Sequence, residues 1–189
     1  GKYDKAEQLY LQSRDIRKIV FGENHPSFAT SLNNLAILYN EIGQYEKAEQ
    51  LYLLSKEIRK KILGGNHPDY ALSLNNLAVL YRKLGRFKKA EPLYQESKEI
   101  IKKVRGPDHP DYALSLNNLG ALYEVMGENE KSEAAYQEAI NIRKKILGEN
   151  HPDYALSLNN LAYLYTSTGK YDKAEQLYKS SLAKLKKAF

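Results

Sequence analysis

The sequence predicts an all-α fold: an α-α superhelix, a right-handed solenoid of stacked antiparallel helix pairs with nine helices. Three observations predict it. The 189-residue chain repeats itself at a step of 42, because His25, His67, His109 and His151, each followed by proline, are that far apart. Asn33-Asn34, Asn75-Asn76, Asn117-Asn118 and Asn159-Asn160 keep the same step, as do Gly43, Gly85, Gly127 and Gly169. Within each unit, apolar residues recur twice at helical spacing, and no segment sustains the period-two alternation of a strand.

The elements follow in order. A lone helix of the second type, B, is expected at roughly 3–21. Four A–B pairs follow, beginning near His25, His67, His109 and His151. In the second unit Pro68 suits the first helical turn, where its missing N–H is no loss, and Asp69 complements the dipole. Leu74, Leu77, Ala78 and Tyr81 form one apolar face, and Gly85 ends helix A. Helix B then runs from near Arg86, with Phe87, Ala90, Leu93, Tyr94, Ser97, Ile100, Ile101 and Val104 as its buried stripe, until Gly106 and Pro107 stop it. The chain therefore divides into one solenoid, 1–189. It holds a half repeat at 1–22 and repeats at 23–64, 65–106, 107–148 and 149–189. Such units bury their apolar faces only by stacking, with A helices expected on the concave wall.

Composition narrows the function. The absence of cysteine excludes disulfides and thiolate chemistry and suits a reducing compartment, so a cytoplasmic placement is expected. No apolar run approaches the ~20 residues of a membrane helix, and no membrane role is expected. Gly1-Lys2-Tyr3-Asp4 reads as a cut through a repeat, so a fragment of a longer protein is expected. A net charge of +6 is mild for this length.

Leu77, Ala78, Tyr81, Gly85, Phe87, Ala90, Tyr94 and Ser97 fall at the signature spacing of the tetratricopeptide repeat, and the other full units match likewise. The chain resembles that family over essentially its whole length. Leucine (Leu32, Leu74, Leu116, Leu158) stands where the common pattern prefers tryptophan, and the period is 42 rather than 34. Both features look like the kinesin light chain and nephrocystin-like subclass. The resemblance implies a scaffold whose groove binds short, extended peptide segments of partner proteins.

The candidate peptide-binding residues come from the helix A face opposite the buried one, at ~100° per residue. Asn34, Asn76, Asn118 and Asn160 form a rung in each unit. Leu72, Leu114, Leu156, Ile37, Val79 and Tyr163 supply an apolar floor. Asparagine costs several tenths of a kcal/mol in a helix interior, and its amide both donates and accepts, as an extended peptide backbone requires. Asn33, Asn75, Asn117 and Asn159, on the shoulder, read instead as bonds to a neighbouring helix or to their own backbone. Arg82 and Lys83 make one cationic spot, which would favour an acidic partner; a solvated helix end is the alternative.

Other chemistries are set aside. The histidines recur once per layer, ~10 Å apart, too far for one metal ion; no metal and no cofactor is expected. His-Pro-Asp at 67–69, 109–111 and 151–153 resembles the J-domain motif but here only opens helices. Basic runs such as Arg59-Lys60-Lys61 and Arg143-Lys144-Lys145 read as a solvated outer face, so nucleic acid is not expected. No phosphate loop or nucleophile motif is present, and no catalytic residue is assigned. The alternative to a peptide scaffold is a self-associating array, since Tyr3, Ala6, Leu9 and Tyr10 at one end and Leu177, Leu182 and Leu185 at the other are left uncovered, which permits head-to-tail stacking.

Overall fold

The structure, a computed structural model, describes residues 1 to 188. Among them are nine helices and no strand: α1 (Lys2–Phe21), α2 (Pro26–Glu41), α3 (Tyr45–Leu63), α4 (Pro68–Lys83), α5 (Phe87–Arg105), α6 (Pro110–Val125), α7 (Asn129–Leu147), α8 (Pro152–Ser167) and α9 (Tyr171–Ala188). They form two compact units, Gly1–Ile100 and the chain from Ile101 onward.

Every A helix (α2, α4, α6, α8) starts the same way. The histidine before the proline is extended, and its Nδ1 accepts the N–H of the residue two further on, at 3.1 Å in all four. Histidine thus does the work that serine or aspartate does at most helix starts. Every A helix also ends the same way. Gly43, Gly85, Gly127 and Gly169 have φ of 80°, 70°, 76° and 75°, a conformation that a Cβ would strain. The next N–H reaches back to the A-helix tyrosine carbonyl, as from Arg86 to Tyr81 at 2.8 Å, which is the Schellman closure. The B helix begins at once, so each pair folds into a tight hairpin.

The hairpins close on small residues. Ala29, Ala36 and Ala48 are fully buried, which lets the backbones of α2 and α3 approach. Ser55 Oγ, midway along α3, donates to the carbonyl of Ala29, early in α2, at 2.9 Å; Ser97 and Ala71 repeat this at 2.8 Å, and Ser181 and Ala155 at 2.9 Å. The short turns make the partners antiparallel, and these bonds satisfy a buried hydroxyl. In the third hairpin Ser132 bonds the carbonyl of Gly120 instead, at 2.9 Å.

Two expectations are corrected. Val104 is exposed rather than part of the buried stripe of α5. Arg59 and Arg143 are buried, not part of a solvated outer face. The Arg59 guanidinium passes between layers, donating from Nη1 to the Asp69 carbonyl (3.1 Å) and Ser73 Oγ (2.9 Å) and from Nη2 to Thr30 Oγ1 (3.2 Å). Arg143 reaches the Asp153 carbonyl (2.9 Å) and Ser157 Oγ (2.7 Å) in the same way. Burial lowers the pKa of each, against the pull of Asp69 or Asp153. A planar fork of donors matches three acceptors at once, which lysine could not do.

Candidate ligand-binding surface

Each A helix spends its leucine–alanine–tyrosine face on its own B helix and on neighbouring layers. What remains is the opposite face, and the two units present it separately. In the first unit α2 and α4 lie side by side. Asn76 Nδ2 donates to Asn33 Oδ1 at 2.9 Å, and Asn75 Nδ2 lies 3.4 Å from Asn76 Oδ1. In the second unit α6 and α8 are joined identically, Asn160 Nδ2 donating to Asn117 Oδ1 at 2.8 Å. The expected division of labour, one asparagine for structure and one for a ligand, is thus not how the amides bond. A residue of each kind meets in one inter-layer hydrogen bond. Asn33 and Asn117 are buried, while Asn34, Asn76, Asn118 and Asn160 are half-buried. An amide offers two N–H groups and two lone pairs, so one bond to the neighbouring helix does not exhaust Asn76 or Asn160.

Beside this ladder runs the apolar floor. Leu72, Leu114 and Leu156 are 46, 46 and 50% exposed. The repeated value shows a position held open on the A helices of both units rather than a chance surface leucine. Ile37 and Tyr163 are also exposed, and Val79 is half-buried. The structure therefore places Asn76, Leu72 and Val79 on α4, Asn34 and Ile37 on α2, Asn118 and Leu114 on α6, and Asn160, Leu156 and Tyr163 on α8.

The cationic spot is divided. Lys83 Nζ donates to the Asn40 carbonyl at 3.1 Å and stands 5.0 Å from the centre of the Tyr45 ring. It neutralises the C-terminal end of the neighbouring helix. Arg82 is half-buried and faces the Tyr94 hydroxyl, whose pKa burial raises and Arg82 pulls back down.

Two constellations escaped sequence reading. One is the Arg59 and Arg143 insertion; its signal was the recurrence of arginine at Arg17, Arg59 and Arg143 in the column that holds Ile101, a buried phase of the B helix. The other is a clasp between layers. Tyr39 OH donates to Glu7 at 2.8 Å, Tyr81 to Glu49 at 2.9 Å and Tyr165 to Glu133 at 2.7 Å. Arg86 and Lys170 add ion pairs to Glu49 and Glu133 at 2.7 and 3.0 Å. Burial first, and the carboxylate second, push Tyr81 and Tyr165 up to about 12. Among the described residues no group of three or more acidic, histidine or cysteine side chains is placed to hold a metal ion, and no helix is long and apolar enough to cross a membrane.

Comparison with known proteins decides the family. The profile described as "Tetratricopeptide repeat" matches residues 1–61, 27–100, 72–144 and 115–187. The chain belongs to the tetratricopeptide repeat family. Among solved structures, this tetratricopeptide repeat chain is similar to BtubC (BKLC) from P. vanneervenii, with 27% identity over 97% of this chain and 73% of that one, at a TM-score of 0.84. It is also similar to a P. anserina protein described as a kinesin light chain with nearly identical TPR-like repeats. A single-substitution variant of that protein shares 27% identity over 99% of this chain and 88% of that one, at a TM-score of 0.83. Its parent structure gives 27%, 99%, 89% and 0.80. No curated protein sequence matches.

Proposed function

We propose that this chain is a protein-interaction scaffold that holds an extended peptide segment against its A helices. Tetratricopeptide repeat proteins are in general non-enzymatic scaffolds that bind other proteins. The observation that carries the finer reading is the exposed leucine beside an inter-helix asparagine bond in each unit, Leu72 in the first and Leu114 and Leu156 in the second. An apolar floor next to amides with spare donors and acceptors suits a ligand with alternating side chains and an open backbone. Successive A helices lie ~10 Å apart and an extended chain advances ~3.3 Å per residue. One layer therefore meets a peptide about every third residue. The preference for an acidic partner rests on Arg82 alone, since Lys83 is spent on the end of α2.

The test is a peptide-display selection on the parent chain and on the triple variant Leu72→Glu, Leu114→Glu, Leu156→Glu. These side chains are half in water, so circular dichroism is expected to show both folded. The parent should enrich a shared motif that the variant loses. Equal enrichment by both, or none by either, overturns the peptide surface.

A further inference from the structure

The hairpins α2–α3, α4–α5 and α6–α7 each bury a B-helix tyrosine whose hydroxyl meets a side chain near the end of the A helix. Tyr52, Tyr94 and Tyr136 are 2, 1 and 2% exposed. In the third hairpin the Tyr136 hydroxyl donates to Glu124 Oε2 at 2.9 Å. In the first, burial and then the Glu41 carboxylate raise Tyr52 to about 12. The second hairpin reverses the sign of the charge. Residues 82 and 83 are Arg82-Lys83, and the Tyr94 hydroxyl faces the Arg82 guanidinium, which lowers its pKa against the rise from burial.

That reversal sets two donors against each other. Neither the Tyr94 hydroxyl nor Arg82 Nε has a hydrogen-bond partner, and both atoms are buried. Buried polar atoms are nearly always paired, and an orphaned donor is costly. Lys83 adds no third donor, because its ammonium is bonded to the Asn40 carbonyl. What the pair lacks is an acceptor.

Glu124 shows which acceptor fits. It occupies the Arg82 position one repeat later and is half-buried, so a carboxylate reaches the matching hydroxyl from the surface. Over Tyr94, one carboxylate oxygen would accept from the phenol and the other from the guanidinium, and such charge-assisted bonds are the strong ones. Arg82 also lies on α4 after Leu72, Asn76 and Val79, on the shoulder of their face. A chain laid along those residues carries a side chain to it.

We infer that Arg82 and Tyr94 form a carboxylate subsite, which takes an aspartate or glutamate side chain of the bound peptide at the end of α4. The peptide that delivers the carboxylate rests on the scaffold reading above; the subsite itself rests on the two unpaired donors. The buried hydroxyl separates it from a solvated arginine, which would attract any anion alike.

Acetate is the probe, and it tests the subsite without any peptide, so a failed display selection and a failed subsite are separate results. In isotope-labelled protein at constant ionic strength, the Arg82 Nε–H resonance should move saturably with acetate and far less with chloride or phosphate. Tyr94→Phe should weaken the acetate response about tenfold, as expected for loss of one hydrogen bond to a charged group. Its thermal midpoint should be unchanged or higher, because an unpaired hydroxyl has gone. Arg82→Glu should rebuild within the chain the bond that joins Tyr136 to Glu124. Its thermal midpoint should rise, and acetate should no longer raise it further as it does in the parent. An Arg82 signal that acetate moves no more than chloride does overturns the inference. So does a response that survives Tyr94→Phe intact, tighter binding of phosphate than of acetate, or an Arg82→Glu protein no more stable than the parent.

Discussion

α1 and α3 occupy the same place in the repeat, and their sequences align residue for residue at the 42-residue step. Their fates differ. Tyr52 is 2% exposed and Tyr10 is 38%; Ile58 is 7% and Ile16 is 61%. The side chains are the same, so the difference is the neighbourhood. α3 lies between α2 and α4, whereas α1 packs on α2 alone. In this fold a B helix acquires its core only when an A helix covers each side, and stability is a property of adjacent pairs rather than of repeats.

Truncating the shared tyrosine breaks that comparison most directly. Tyr52→Ala opens a cavity between two layers and should cost about 3–4 kcal/mol, whereas Tyr10→Ala should cost under about 1 kcal/mol. Urea denaturation of each variant measures both. Equal losses would mean that α1 is as well seated as α3.

The arginine column sharpens the point. Arg59 is buried with three acceptors, while Arg17 makes one bond at a half-buried site. Arg59→Ala removes the three hydrogen bonds that join the layers and leaves a void, so a loss of about 3 kcal/mol is expected. Arg17→Ala should lose about 1 kcal/mol or less. Arg59→Ile should cost less than Arg59→Ala, because Ile101 fills this position on α5 in buried form. Chemical denaturation of the three variants checks the order.

How much was legible follows from which signals are local. Helix ends could be read because proline, histidine and left-handed glycine each act within a few residues of where they stand. The exposed face of the A helices could be read because Leu72, Leu114 and Leu156 follow from turning 100° per residue. What could not be read depends on the offset between layers. Arg59-Lys60-Lys61 looks like a solvated run, and only the packing of α4 beyond it shows that the first member points inward. The bond from Asn76 to Asn33 joins the second asparagine of one pair to the first of another, a pairing that no single helix reveals. Gly120 is a third case. It stands in the column of Ala36, Ala78 and Ala162, and a Cβ there would lie 2.7 Å from the Tyr136 ring. That ring is held by a 2.9 Å bond from its hydroxyl to Glu124.

Alkaline pH tests the covered layers as a group. Burial first, and then an acidic neighbour, raise Tyr52, Tyr70, Tyr81 and Tyr165 from 10 to about 12. A raised folded-state value means that the contribution is complete below pH 10 and is lost as the pH climbs through about 12. Stability should therefore fall between pH 10 and pH 12, together with the ultraviolet signature of tyrosinate. Tyr81→Phe should flatten part of that fall. A decline complete before pH 10 would reject the role of the buried hydroxyls.

The smallest expected effect separates structure from function in the asparagines. Asn76→Ala removes a donor to buried Asn33 and should cost about 1 kcal/mol. Asn34→Ala removes no ladder bond, and alanine's better helix propensity should leave stability unchanged or raised by a few tenths of a kcal/mol. The double variant Asn33→Ala, Asn76→Ala should cost less than the sum of its single changes, because neither amide is then stranded. If Asn34→Ala proves as costly as Asn76→Ala, the Asn34 amide is engaged within the monomer and does not serve a peptide. If it is neutral for stability but weakens peptide capture, that asparagine is held in its helix for a partner, against its own propensity.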